Sequence, residues 1–107
     1  MRVGFDPSER TPVTGAFTAA AQTSSSFVPL AGREFNWTIW GTFVATIVLE
    51  RTFNGGTNWH ALTGAGTTIS EVTAACSEIA KESEWGVYYR LRCSAYTSGT
   101  ANYRISQ

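Results

Sequence analysis

Apolar and polar side chains alternate repeatedly along the chain after residue 26, and this pattern predicts short β-strands rather than helices. One such run begins at Phe35 and another at Val87, and in each run every second residue is apolar. Glycine-bearing turns punctuate the runs about every 8–12 residues, a spacing typical of antiparallel folds. The pattern therefore predicts an all-β domain over residues 26–107, an antiparallel β-sandwich or jelly roll of about seven to eight strands.

Two segments read as β-hairpins, because each has a β-branched or aromatic run, a turn with glycine and a second run. The first spans residues 45–59, with its tip at 54–58, and the second spans residues 86–105, with a turn at 96–100. Between them, residues 69–84 also fit a helical stripe. Their threonine and valine content favours a strand followed by a loop.

Residues 1–25 form a segment of different composition, rich in Thr, Ser, Ala, Gly and Pro. It has no sustained period of 2 or 3.6, and Phe5 and Phe17 are its large apolar anchors. Such a segment buries too little apolar surface to fold by itself. We predict an extended N-terminal arm, disordered or lying across a neighbouring molecule, followed by one domain.

The charge content is low: 15% of residues are charged, 43% are hydrophobic and the formal net charge is zero. The sequence contains no cluster of basic residues of the kind that predicts binding to nucleic acid. It also contains no apolar stretch that is long enough for a transmembrane helix. Arg90, Arg92 and Arg104 fall on even positions, which predicts one shared strand face. That face is either a cationic stripe for a carboxylate, phosphate or partner subunit, or a solvated face neutralised by glutamates.

Catalytic and metal chemistry find little support in the residue inventory. The chain has one histidine, His60, and one aspartate, Asp6, so a nucleophilic triad or a zinc site lacks the convergent groups it needs. We predict no catalytic, metal-binding or cofactor-binding residue. Cys76 and Cys93 are expected to be free thiols, as in a reducing compartment.

The segment TFNGGTNW (residues 52–59) resembles the Asp-box of sialidase and β-propeller hairpins, with Asn54 where the box has aspartate. In those families the box is mostly a folding device, so the motif supports a hairpin. Four tryptophans raise the possibility of a sugar-stacking surface. Trp37 shares the phase of the core residues, whereas Trp40 lies on the opposite phase and is the best exposed candidate.

A set of segments occurs in an order that resembles small structural proteins of tailed bacteriophages. The segments, all between residues 26 and 107, are FVPLAG (27–32), IWGTF (39–43), LERTFNGGTNW (49–59), ESEWGVYYRLRC (82–93) and YRISQ (103–107). The resemblance implies a virion component, a capsid decoration or cement protein, which is made in the bacterial cytoplasm and incorporated into the virion.

That resemblance implies partners but assigns no functional residues. The expected partners are the major capsid protein or another virion protein and further copies of the chain, with a trimer favoured. The alternatives are a carbohydrate-binding module and a tail-associated virion protein. The contact candidates taken from the residues themselves are Phe5, Phe17, Trp40, Arg90, Arg92 and Arg104.

Overall fold

The computed structural model describes residues 11–107, and this part of the chain is all-β and contains no helix. The strands are β1 (Val13–Phe17), β2 (Glu34–Trp40), β3 (Phe43–Thr52), β4 (His60–Ala61), β5 (Thr63–Gly64), β6 (Thr67–Thr68), β7 (Glu71–Val72), β8 (Cys76–Lys81), β9 (Tyr88–Gly99) and β10 (Ala101–Ser106). All strand pairs are antiparallel. The predicted all-β, antiparallel class is confirmed.

The longer strands form two sheets. The first sheet has the order β1-β10-β2-β8. In the second sheet β3 pairs with β9 along one side and with the short strands β4 and β7 along the other. Strands β5 and β6 form a small separate hairpin.

Two long strand pairs bend together from the first sheet into the second. β2 pairs with β10 and β3 pairs with β9, and the chain passes from sheet to sheet at Gly41 and Gly99, both with positive φ. A Cβ on Gly99 would collide with the carbonyl oxygen of Thr42, so glycine is required where the two bends cross. The predicted hairpin over 86–105 is therefore wrong, because β9 and β10 pair with different partners instead of with each other.

One apolar core includes side chains from both sheets. Phe35, Trp37 and Ile39 come from the first sheet, and Ile47 and Leu49 from the second. Each set occupies alternate positions of its strand, as the sequence pattern predicted. The core also contains the buried side chains Phe17, Phe27, Tyr89, Leu91, Cys93, Tyr103 and Ile105.

The segment predicted as an extended arm belongs to the fold from residue 13 onward. Val13–Phe17 forms β1 at the edge of the first sheet, paired with β10. The chain then crosses to the second sheet, where residues 21–27 run along β9 through backbone hydrogen bonds with Cys93, Leu91 and Tyr89. The structure thus corrects the arm over this part, because two sheet edges supply the backbone partners that the segment lacks alone. Residues 1–10 lie outside the described residues.

The first predicted hairpin is confirmed in its outgoing strand and tip, and its return strand β4 (His60–Ala61), which pairs with β3, begins one residue after the predicted bounds. Its tip is organised as the Asp-box resemblance suggested: the Asn54 side-chain oxygen accepts hydrogen bonds from the Thr52 hydroxyl at 2.8 Å and the Asn58 N–H at 2.9 Å. The Thr52 hydroxyl oxygen also accepts the Gly56 N–H at 3.0 Å. Residues 69–84 contain β7 and β8, so the strand interpretation is confirmed, and the stretch predicted as loop includes a second strand.

Candidate interaction surface

The outer face of the first sheet combines small polar side chains with charged and apolar ones. Strand register places Trp40 beside Asn102, and Thr38 beside Arg104, on this face. Trp40 is 47% exposed, and the Asn102 amide donates a hydrogen bond to its carbonyl oxygen at 3.3 Å. We define the outer face by the outward residues of the four strands: Thr14, Ala16, Glu34, Asn36, Thr38, Trp40, Ser77, Ile79, Lys81, Asn102, Arg104 and Ser106.

The three arginines predicted to share one face lie on two different sheets. Arg104 is exposed on the outer face of the first sheet, whereas Arg90 and Arg92 belong to β9 of the second sheet. The even-number argument fails because period 2 holds within one strand, and the chain changes sheet at Gly99. The predicted single stripe is therefore wrong.

Arg90 and Arg92 are neutralised in part by a buried carboxylate. Their Nε atoms lie 2.7 and 3.2 Å from the two oxygens of Glu50, whose side chain is 5% exposed. The Trp59 ring covers the Arg90 guanidinium, with 4.1 Å from Cζ to the ring centroid. The alternative of a face neutralised by glutamates therefore holds for these two arginines, and they also fix the hairpin tip to the second sheet.

The two phenylalanines predicted as arm contacts have different outcomes. Phe17 is 1% exposed and stacks on Tyr103, with 4.6 Å between ring centroids. Its side chain is therefore a core element and is not available to a neighbouring molecule. Phe5 lies outside the described residues.

A second buried carboxylate joins the ends of both sheets. Oε1 of Glu82 accepts hydrogen bonds from Arg51 Nη1 at 2.7 Å and from the Tyr89 hydroxyl at 2.8 Å, and Oε2 accepts the Glu84 N–H at 3.0 Å. Burial alone would raise the pKa of Glu82, but these hydrogen bonds outweigh it and hold that pKa below its ordinary value. Burial, with the bond to Glu82, raises the pKa of Tyr89 to about 12. The arrangement is a structural ion pair rather than an acid–base site.

Several large apolar side chains are exposed outside the core. Phe53 and Trp85 lie in loops and are 50% and 68% exposed. Ile69 and Ile79 are 66% and 63% exposed at the margin of a cleft of about 300 Å³, which Trp37, Leu62, Val72, Glu78 and Ala80 also line. A second cleft of about 250 Å³ lies beside Val44 and Tyr96.

Sequence reasoning missed the exposure of Ile79. The residue was read as one position of a possible helical stripe, whereas in β8 its side chain points away from the core. A signal was present, because the strand reading of residues 76–81 puts Ile79 out of phase with Cys76 and Ala80.

The histidine and the two cysteines are the remaining reactive side chains of the described residues. Within residues 11–107 no group of three or more His, Cys, Asp or Glu side chains is placed to hold a metal ion. His60 is exposed in the short strand β4, 6.2 Å from the Phe53 ring. Cys76 and Cys93 are unpaired, and burial raises the pKa of both thiols, which makes them less reactive. No helix in this part of the chain could cross a membrane.

Comparisons with known proteins do not identify a family, so the role of the outer face has to be inferred from its own residues. No protein-family model, curated protein or solved structure matches the chain.

Proposed function

We propose that the chain is a structural protein of a tailed-bacteriophage virion: a capsid decoration or cement protein that binds the assembled head as a homo-oligomer, with a trimer favoured. In this proposal the two sheets form an antiparallel β-sandwich or jelly roll that presents the outer face of the first sheet to its partner. The resemblance of the segments between residues 26 and 107 supports the virion assignment.

The observation that carries the attachment step is the outer face of the first sheet. It combines a half-exposed indole at Trp40, a cation at Arg104 and neighbouring small hydroxyl and amide side chains, and Glu34, Lys81 and Ile79 lie on the part of the face towards β8. Tryptophan and arginine are the residues most enriched among strong interface contacts, and small polar neighbours allow close approach. The partner is the major capsid protein or another virion protein.

Cementing by such a face follows from mass action. A protein that binds only the assembled lattice lowers the free energy of the assembled state by the free energy of its own binding. The protein itself breaks no bond and needs no cofactor. Its two sheets and its low charge are suited to a protein that binds the capsid in many copies through the same contact.

The test begins with purified particles of the phage that encodes the chain. Mass spectrometry should find the polypeptide in the particles, at a fixed copy number relative to the major capsid protein. Particles assembled without it should lose resistance to heat, and adding the purified protein should restore that resistance. Absence from the particles would overturn the virion assignment, and unchanged heat resistance would overturn cementing.

Variants locate the attaching face. Trp40→Ala and Arg104→Ala should each weaken binding to particles about tenfold or more, the effect expected for an interface anchor. Trp85→Ala is the matched control, because that indole is also exposed but lies in a turn outside the outer face. Equal losses for Trp85→Ala and Trp40→Ala would argue against attachment through this face.

Two alternatives use the same face. Trp40 with the neighbouring Asn102 and Arg104 also resembles a surface on which a sugar ring stacks, so a carbohydrate-binding module is the second candidate. Binding on a glycan array that is lost in Trp40→Ala would favour it. Labelling that places the chain on the tail instead of the head would favour a tail-associated role.

A further inference from the structure

The two edges of the first sheet differ from those of the second in how they are covered. In the second sheet, residues 21–27 run along β9, and β4 and β7 pair with the far side of β3. In the first sheet, β1 and β8 are the outermost strands, and within residues 11–107 neither has a strand on its outward side. Outward N–H and C=O groups on such strands are a template for another strand.

Strand β8 has few of the features that normally block an edge. It is six residues long, its pairing with β2 is continuous without a bulge, and it contains no proline. Its outward apolar side chain, Ile79, is 63% exposed, and its charged side chains that could guard the edge are Lys81 at its end and Glu78 on the inner face. A strand that pairs here would cover Ile79 and close the mouth of the neighbouring cleft.

The polarity of the strands makes β1 of another copy a matching partner. Three successive antiparallel pairings separate β1 from β8, so these strands run in opposite directions in one chain. A second copy placed beside β8 in the same orientation therefore offers its β1 in the antiparallel sense and with the same face outward. The sheet would continue from one copy into the next.

The side chains favour this pairing over that of β8 with another β8. Full overlap of the five residues of β1 with β8 sets Thr14 of one copy opposite Ile79 of the next on the outer face, and Gly15 opposite Glu78 on the inner face. Strand β1 carries no charge. Symmetric pairing about Ile79 would instead bring two Glu78 carboxylates to neighbouring positions, which opposes association.

We infer that copies of this chain assemble head to tail, through antiparallel pairing of β8 of one copy with β1 of the next, with Ile79 against Thr14. The inference deepens the homo-oligomeric part of the proposed function and rests on it. A head-to-tail contact closes into a ring when the rotation between copies allows it, which is compatible with a trimer.

Disulfide trapping separates this contact from its competitors. Thr14→Cys and Ile79→Cys are introduced together in a Cys76→Ser background, and each is also made singly. Within one chain these positions are three strand spacings apart, about 14 Å, whereas a disulfide needs Cα atoms within about 7 Å. A bond can therefore form only between copies.

The expected result is that mild oxidation links the double variant into covalent multimers, with the bond between positions 14 and 79 identified by peptide mass spectrometry, while neither single variant is linked. A covalent dimer of the Ile79→Cys variant alone would overturn the inference in favour of symmetric β8 pairing. Monomers in sedimentation of the native protein at every concentration would also overturn it. Circular dichroism verifies that each variant is folded.

An ion pair introduced between positions 79 and 14 provides an independent measurement that needs no cysteine. Ile79→Lys should weaken self-association about tenfold or more, the loss expected for one buried isoleucine, and adding Thr14→Glu in the same chain should recover part of that loss through an ion pair between copies. Failure of this rescue would overturn the pairing. Either result is separate from the virion proposal, because detection of the chain in purified particles does not depend on positions 14 or 79.

Discussion

Replacement of the buried carboxylate at position 82 tests how the ends of the two sheets are held together. Glu82→Gln keeps the shape of the side chain but removes its charge and the oxygen that accepts the Glu84 N–H. A hydrogen bond to a charged group contributes about 1.5–3 kcal/mol, and an exposed ion pair about 1 kcal/mol or less. Arg51 is 35% exposed, so its share is small, and the bonds from Tyr89 and the Glu84 N–H dominate.

We therefore expect Glu82→Gln to lower the free energy of unfolding by about 2–3 kcal/mol at pH 7. For a domain of this size the melting temperature should fall by roughly 10–20 °C. Glu84→Gln is the matched control: its side chain is exposed, and only its backbone N–H bonds to Glu82, so its effect should stay within about 0.5 kcal/mol. Urea denaturation followed by tryptophan fluorescence gives the free energy of unfolding of each variant.

The pH dependence gives a second measurement on the same variant. The pKa of Glu82 is lower in the folded state than the ordinary unfolded value of about 4.3, so its stabilisation is present above that value and is lost as the pH falls through the folded pKa. The native protein should lose stability below about pH 4.3 more steeply than Glu82→Gln. A loss of less than about 1 kcal/mol at pH 7, or equal acid slopes in the two proteins, would refute the reasoning.

Three further tests, each by thermal or urea unfolding, concern the corner, the hairpin tip and the arginine cluster. Gly99→Ala should destabilise the fold by more than about 2 kcal/mol, because the residue has a positive φ and its Cβ would also collide with backbone atoms. Gly32 has a positive φ but open space around it, so Gly32→Ala should destabilise by about 1 kcal/mol. Equal effects of the two substitutions would contradict the corner packing. Asn54→Asp should stabilise by about 0.5–1 kcal/mol at pH 7 and not at pH 2, since a charged acceptor strengthens the bonds of the turn. Glu50→Ala should destabilise by about 2–3 kcal/mol and Arg92→Ala by less than half as much, because the first leaves two arginines facing each other without their anion.

The faces of individual strands were predictable because side chains alternate with period 2 in any extended backbone. Phe35, Trp37 and Ile39 are inward for this reason, as are Tyr89 and Leu91. The same local rule gave the hairpin tip at Asn54, since a short polar side chain bonds the backbone of its own turn. These features depend on neighbours in sequence, and the sequence contains them.

The change of sheet at the glycine corner was not predictable from local pattern. The residues around Gly99 carry the turn signals of a hairpin, and only the distant partner strands β3 and β2 decide that the chain bends instead of folding back. For the same reason Arg104 was assigned to the face of Arg90. Pairing across the fold determines these positions, and a single sequence does not report it.

The candidate surface was predictable in part. Trp40 was identified as exposed from its phase, whereas Phe17 was assigned to an arm because the partner of its strand, β10, lies more than eighty residues further along the chain. The burial of Glu50 and Glu82 was not predictable, because glutamate is rarely buried without a partner and these two depend on arginines brought to them by β3 and β9.

The position of β10 between β1 and β2 has a consequence for biosynthesis. These two strands are made early and have no partner in common until residues 101–106 have left the ribosome. The first sheet therefore cannot be completed before β10 is made, and the pairing of β1 with β10 joins residues that lie far apart in the sequence, which slows folding. Until β10 is available, β1 has no partner within residues 11–107, so a chain truncated before residue 101 should expose unpaired strand edges and bind chaperones more strongly than the chain with β10.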